Sequence, residues 1–162
     1  MQVILVMETR ASCGSDFMYI KSALDYYYCE RSYTLTKIFA TNKSSLIKCE
    51  GKIRKSISKY CGESVVVICA DYDCNDSILN KSIEEYCARN NYELVWMNVD
   101  VEDVFLNRTV PKRCKEREAV NFLKTKLTVL SKLNTLCIEN PIDKRPASNL
   151  LCVFDKYLKR KT

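Results

Sequence analysis

The chain has 162 residues, of which 47% are hydrophobic and 28% charged, and it carries a net charge of +6. This length and balance predict a single globular domain over residues 1–162 and exclude an intrinsically disordered chain. No apolar run approaches the roughly 20 residues that span a bilayer. No signal peptide is recognised before the apolar start of the chain, so we expect a soluble, cytoplasmic protein without a membrane partner.

The cysteine and histidine content limits the chemistry that the chain can perform. The chain has ten cysteines but no Cys-x-x-Cys pair and no histidine, which excludes zinc sites of the usual spacing. Cysteines such as Cys69 and Cys87 lie within apolar patterns, so we predict reduced thiols that pack as small hydrophobes. Without histidine, catalysis would depend on carboxylates, Lys, Tyr, Cys or a metal ion.

Strand and helix patterns alternate over the first two thirds of the chain. Apolar or β-rich runs predict strands, and apolar residues at helical spacing predict the helices between them. The predicted strands are Val3–Met7, Tyr33–Ala40, Val65–Ala70 and Tyr92–Val99. The predicted helices are Phe17–Cys29, the segment from Ser44 to about Tyr60, and Ile78–Asn90, and Thr9–Gly14 is predicted as a loop. This order predicts a three-layer α/β/α fold with a mainly parallel four-stranded sheet.

The second half of the chain is basic and mostly helical. Arg108–Lys126 holds seven Lys or Arg against two Glu, which indicates a polyanionic partner. A solvated helix face is the alternative. The residues predicted to contact nucleic acid are Lys112, Arg113, Lys115 and Arg117. A long helix is predicted over Lys115–Leu133, with inward residues Val120, Leu123, Leu127, Leu130 and Leu133, and a last helix over Asn149–Lys159.

Carboxylates follow three of the predicted strands. Glu8 ends the first apolar run, Asp71 and Asp73 follow the third, and Glu102 follows the fourth. Because the carboxyl ends of parallel strands meet at one edge of the sheet, where ligands of such folds bind, these acids predict a hard-cation site for Mg²⁺ or Mn²⁺. The alternatives are that the two aspartates only end a strand and cap the next helix, and that Glu8 is a surface acid.

The acids and their positions resemble the Toprim family over about residues 1–105. The resemblance rests on VILVMET with Glu8, on Ser15-Asp16 before the first helix, and on VVICADYD with Asp71 and Asp73. It is closest to the stand-alone type and to the nuclease part of the OLD family, including RloB-like proteins of phage-defence loci. It implies that Glu8 is a general acid/base and that Asp71 and Asp73 bind Mg²⁺. Residues 106–162 then form a basic C-terminal extension.

Three functions are consistent with these features. The first is a Mg²⁺-dependent nuclease of phage defence or DNA repair, with nucleic acid as its partner. The second is a non-catalytic α/β binding or regulatory module that acts with a partner protein. The third, a flavodoxin-like receiver, is weakest because a receiver usually carries an acidic pair after its first strand, where this chain has only Glu8. The chain has no Gly-Lys-Ser/Thr phosphate loop, so an ATPase that acts with it would be a separate chain. A homo-oligomer is a further alternative.

Overall fold

The structure is a computed structural model that describes residues 1–8 and 14–161. Its strands are β1 (Gln2–Glu8), β2 (Thr34–Ala40), β3 (Ser64–Tyr72), β4 (Glu93–Asn98) and β5 (Ala147–Ser148). They form one sheet in the order β2-β1-β3-β4-β5, in which the first four strands are parallel and β5 is antiparallel to β4. The predicted α/β class is confirmed, whereas the short strand β5 was not predicted. The predicted loop Thr9–Gly14 lies outside the described residues except for Gly14.

Helices cover both faces of the sheet. They are α1 (Ser15–Tyr27), α2 (Glu50–Ile57), α3 (Ser77–Asn90), α4 (Val101–Leu106), α5 (Lys115–Leu133) and α6 (Leu150–Phe154). Alternate residues of each strand point to opposite faces, so the sheet contributes to two cores. One core packs against α1, α4, α5 and α6, and the other against α2 and α3. Burial on both faces explains why β1 and β3 are continuous apolar runs.

The predicted helix from Ser44 to about Tyr60 is divided into two parts. Residues Lys43–Lys48 form a 3-10 turn, and α2 begins only at Glu50. The turn starts at Asn42, whose side-chain oxygen accepts a hydrogen bond from the backbone N–H of Ser45 at 2.9 Å. Such a local bond competes with α-helical pairing and favours the tighter turn.

The inward face predicted for α5 is partly wrong. Leu130 and Leu133 are buried as predicted, but Val120, Leu123 and Leu127 are 54%, 41% and 65% exposed. The buried positions nearer the start of the helix are Ala119 and Phe122. Apolar residues cover two adjacent faces of this helix, so spacing alone does not show which face packs.

No helix in the described part of the chain is long and apolar enough to cross a membrane.

The C-terminal segment is part of the same core as the first half. Residues of α5 and α6 pack with those of α1, β1 and β3 in one apolar cluster. Asn149 extends the pairing along β4, because its side-chain oxygen accepts from the N–H of Trp96 at 2.8 Å and its amide donates to the carbonyl of Leu94 at 2.9 Å. Residues 106–161 therefore help to form the sheet edge and one of its two helical layers.

The nine cysteines in the described part of the chain are all free thiols. Burial raises the pKa of Cys87 to about 12 and raises the pKa of Cys69 further. The thiols of Cys69 and Cys87 therefore stay protonated at neutral pH and are poor nucleophiles. The prediction that cysteines pack as small hydrophobes agrees with the burial of Cys69 and Cys87, whereas Cys61 and Cys74 are exposed.

Replacing Asn98 with Ala is expected to destabilise the fold by about 3 kcal/mol, because buried acceptors lose their donor. The buried side-chain amide of Asn98 donates to the carbonyls of Pro141, Ile142 and Lys144 at 2.8, 2.9 and 3.0 Å. Urea unfolding would measure the loss, with Asn121→Ala on the exposed face of α5 as the matched control. Equal midpoints for the two variants would contradict the expectation.

Candidate active site at the carboxyl edge of the sheet

A cleft of about 960 Å³ opens at the carboxyl ends of β1 and β3, between the start of α1 and the start of α5. Seven carboxylates line it against three lysines. The acids are Glu8, Asp16, Asp71, Asp73, Asp76, Asp100 and Glu116, and the lysines are Lys43, Lys112 and Lys115. Because negative groups outnumber positive ones, the cleft should concentrate cations.

Three of these acids also line a small cavity at the inner end of the cleft. Glu8 is the last residue of β1, Asp71 lies near the end of β3, and Asp16 lies in the first turn of α1. The cavity that they share has a volume of about 10 Å³, and its other lining residues are mainly apolar. This volume is about that of a single water-sized sphere. The strands and the helix thus bring three acidic residues from separate positions in the sequence to one small cavity.

The pKa values of these three carboxyl groups are raised. Burial raises the pKa of Asp71 well above its usual range, and the negative charge of Asp16 raises it further, while the charge of Lys115 opposes the rise. Burial likewise raises the pKa of Asp16 to about 6. Burial also raises the pKa of Glu8, against the opposing effects of the backbone N–H and the charge of Lys43. Carboxyl groups with raised pKa values are typical of sites that bind a cation or transfer protons.

The structure separates the two aspartates that the sequence paired. Asp71 lines the inner cavity, whereas Asp73 is exposed and lines only the outer cleft. One oxygen of Asp73 accepts hydrogen bonds from the backbone N–H and the side-chain amide of Asn75, at 2.9 and 3.1 Å. Asp73 therefore caps the 3-10 turn that follows β3, which was the structural alternative for this residue, and keeps its second oxygen for the cleft.

Asp16 is the site residue that the sequence analysis missed. It was noted only as part of Ser15-Asp16 before the first helix. The signal that could have identified it is that position, because a carboxylate in the first turn of a helix following β1 lies beside the carboxyl end of the strand. In the structure Asp16 shares the inner cavity with Glu8 and Asp71.

Glu102 does not lie with the predicted metal ligands. Its side chain is 0% exposed, and one of its oxygens accepts from Lys115 Nζ at 2.7 Å. Its other oxygen has no hydrogen-bond partner in the described part of the chain. Burial raises the pKa of Glu102, and the hydrogen bond and charge of Lys115 oppose that rise. Glu102 is thus the buried partner of a lysine, and its position does not fit the role of a ligand in the cleft.

The four predicted nucleic-acid contacts fall into two groups. Lys112, Arg113 and Arg117 are exposed near the start of α5, and Lys112 lines the cleft. Lys115 instead points inward, where its ammonium group bonds Glu102 and, at 3.1 Å, Asp100. The first group remains accessible to a polyanion, whereas the charge of Lys115 is already neutralised within the protein.

The inner carboxylates fit a hard cation by their chemistry. Carboxylate oxygens are the ligands that Mg²⁺ and Mn²⁺ prefer, and Glu8, Asp16 and Asp71 supply them around one cavity. Within residues 1–8 and 14–161, no three such side chains approach closely enough to ligate one ion directly. Mg²⁺ commonly keeps several waters and uses one or two carboxylates, so the donor set suits an ion that is partly held through water.

Comparisons of the chain with models of protein families, with curated protein sequences and with solved structures found no match. The resemblance to the Toprim family therefore remains a prediction that depends on Glu8, Asp71 and Asp73. The function has to be inferred from the chemistry of the cleft.

Proposed function

We propose that this protein is a divalent-metal-dependent enzyme that hydrolyses phosphodiester bonds in nucleic acid. The observation that supports this proposal most is the inner cavity, where Glu8, Asp16 and Asp71 meet at the carboxyl edge of a parallel sheet. Open α/β sheets bind their ligands at this edge. Exposed basic residues beside the cleft would hold the phosphate backbone without sequence preference.

Each residue of the site has a role in this proposal. Asp71 and Asp16 would hold Mg²⁺ or Mn²⁺ from the inner side, with Asp73 at the outer side. Bound there, the ion would polarise a phosphoryl oxygen and lower the pKa of a coordinated water. Hydrolysis adds the oxygen of water to phosphorus and breaks one P–O ester bond, so the water loses a proton and the leaving oxygen gains one. Glu8, whose pKa is raised by burial, would accept or deliver such a proton.

Replacing Glu8 with Gln is expected to slow cleavage about 100-fold or more, because the proton-transfer group is lost. The assay would use single- and double-stranded DNA and RNA with Mg²⁺, Mn²⁺ or EDTA. Glu139→Gln, at an exposed position far along the chain, is the matched control and should cut like the native protein. Cleavage that persists in EDTA, or that Glu8→Gln leaves unchanged, would contradict the proposal.

A second candidate function is a non-catalytic module that acts with a partner protein. The observation that favours it is the row of exposed apolar residues Val120, Leu123 and Leu127 on α5. Such a row is uncommon on a chain that acts alone, because exposed apolar patches usually mark interaction surfaces. A folded native protein that binds nucleic acid but never cuts it, with any of the metals, would favour this second function.

A further inference from the structure

Lys43 is a buried lysine that forms no ion pair with a carboxylate among the described residues. It opens the 3-10 turn after β2, and only 8% of its surface is exposed. Its ammonium group donates to the side-chain oxygen of Asn80 and lies 5.5 Å from the ring centre of Trp96. No carboxylate oxygen lies within 4.0 Å of this ammonium group in the described part of the chain. Lysines are seldom so deeply buried unless they are paired with an acid.

The groups around Lys43 hold it in place but do not neutralise it. Asn80 is itself buried, and its side-chain amide donates to the backbone carbonyl of Asp73 at 2.8 Å. The amide oxygen of Asn80 and the face of Trp96 attract a cation weakly compared with a carboxylate. An ammonium group has three donors, and only one has an acceptor among the described residues. Two donors of the ammonium group therefore have no acceptor among the described residues.

Lys43 also lines the acidic cleft, as do Glu8 and Thr41. The other two lysines of the cleft differ from it. Lys115 is bonded to two carboxylates, and Lys112 is exposed at the rim. Lys43 is thus the buried positive charge of the cleft that has no acid bonded to it in residues 1–8 and 14–161.

We propose that Lys43 is the anion-binding residue of the cleft and that it receives a phosphate oxygen of the substrate. The choice of phosphate rather than another anion rests on the proposed function. The phosphate oxygen would accept hydrogen bonds from the free donors of the ammonium group. These charge-assisted hydrogen bonds would replace those to water that burial has removed. The acids of the inner cavity and Lys43 would then contact the same phosphodiester.

The single tryptophan of the chain provides a direct reporter of this site. Because the ammonium group lies beside the ring of Trp96, an anion that binds Lys43 should change the emission of Trp96. Dithymidine monophosphate and inorganic phosphate are the probes, each titrated in Mg²⁺ and in EDTA, and acetate at equal ionic strength is the reference anion. We expect a saturable change with the two phosphates and none with acetate.

Replacing Lys43 with Met or with Gln is expected to weaken the binding of both phosphates about tenfold. Met keeps the apolar stem, and Gln keeps a donor for Asn80 without the charge. Lys48→Met, at an exposed position of the same turn, is the matched control. Its affinity for both phosphates should be within about twofold of that of the native protein. Neither neutral variant should melt lower than the native protein, since both remove a buried charge that has no acidic partner.

The outcomes separate this inference from the proposed function. Native affinity in both Lys43→Met and Lys43→Gln, or no response of Trp96 to either phosphate, would overturn the inference. A native protein that binds phosphate through Lys43 but cuts no nucleic acid would retain the inference and contradict the nuclease. A native protein that cuts, and whose KM does not rise in Lys43→Met, would retain the nuclease and contradict the inference.

Discussion

Replacing Asp71 with Asn is expected to raise the melting temperature of the metal-free protein at neutral pH and to abolish metal-dependent cleavage. Asp71 shares the inner cavity with Asp16 and Glu8, and burial followed by the charge of Asp16 raises its pKa well above the usual range. The folded protein therefore binds this proton more tightly than the unfolded chain does. The neutral amide of Asn has nearly the same shape and does not need the proton.

The direction of the pH dependence follows from this difference. A carboxyl group whose pKa is higher in the folded state favours folding at low pH, and that contribution is lost as pH rises from the unfolded to the folded pKa. Each pH unit crossed in that interval costs about 1.4 kcal/mol. The melting temperature of Asp71→Asn should therefore match that of the native protein below about pH 3, where Asp71 is neutral in both the folded and the unfolded state, and exceed it increasingly as pH rises from there.

Melting curves in EDTA and in Mg²⁺ across this pH range measure both parts of the expectation. Mg²⁺ should raise the melting temperature of the native protein, since ligand binding stabilises the folded state, and should leave Asp71→Asn unchanged. Glu84→Gln, at an exposed position of α3, is the control for the loss of a carboxylate. Equal or lower melting temperatures for Asp71→Asn in EDTA at pH 8 would contradict the expectation that burial and nearby charge destabilise the ionised form of Asp71.

The sequence predicted the sheet and its acidic edge because both depend on local patterns. The apolar runs of β1 and β3 are continuous because each strand is buried on both faces, and their parallel pairing places Glu8 and Asp71 at the same end. The role of Asp73 was less predictable, because it depends on the hydrogen bonds to Asn75 that form just after the strand. Pattern alone could not separate two aspartates only two residues apart.

The residues that the sequence placed wrongly or missed are those whose role depends on tertiary packing. Lys115 belongs to a basic stretch, but the packing of α5 beside α4 turns it inward to Glu102. Val120 shows helical spacing with buried leucines, yet it lies on an exposed face of α5. Lys43 carried no signal, because its burial results from the docking of a turn against Asn80 and Trp96.

Replacing Lys115 with Met is expected to destabilise the protein by about 3–5 kcal/mol at neutral pH, because it leaves a buried carboxylate without its partner. The ammonium group of Lys115 bonds Glu102 at 2.7 Å and Asp100 at 3.1 Å. The side chain of Glu102 is fully buried, and its second oxygen already lacks a partner in the described part of the chain. The pKa of Lys115 is raised, because the hydrogen bonds and charges of these two acids outweigh the opposing effect of burial. Lys115 therefore stays charged at neutral pH, and its charge and hydrogen bond oppose the rise that burial causes in the pKa of Glu102.

The loss should depend on pH and should be rescued by a second substitution. Without Lys115, the pKa of Glu102 rises further, so the variant loses stability relative to the native protein as pH rises above about 4.5. Lys115→Met/Glu102→Gln should recover most of the loss, since neither member of the pair then leaves a buried charge. Urea unfolding of the single and double variants at pH 4 and pH 7 gives the coupling between the two residues.

Lys126→Met, at an exposed position of the same helix, is the control for removing a lysine from α5. An equal effect of Lys126→Met and Lys115→Met would show that the loss reflects the net charge of the helix. A loss in Lys115→Met that is as large at pH 4 as at pH 7, and that Glu102→Gln does not rescue, would show that Lys115 contributes through packing alone. The predicted pattern, with pH dependence and rescue together, requires the charge of Glu102 to be buried beside the acids of the cleft. It would mean that the C-terminal segment supplies a counter-charge that allows so many carboxylates to gather at one edge of the sheet.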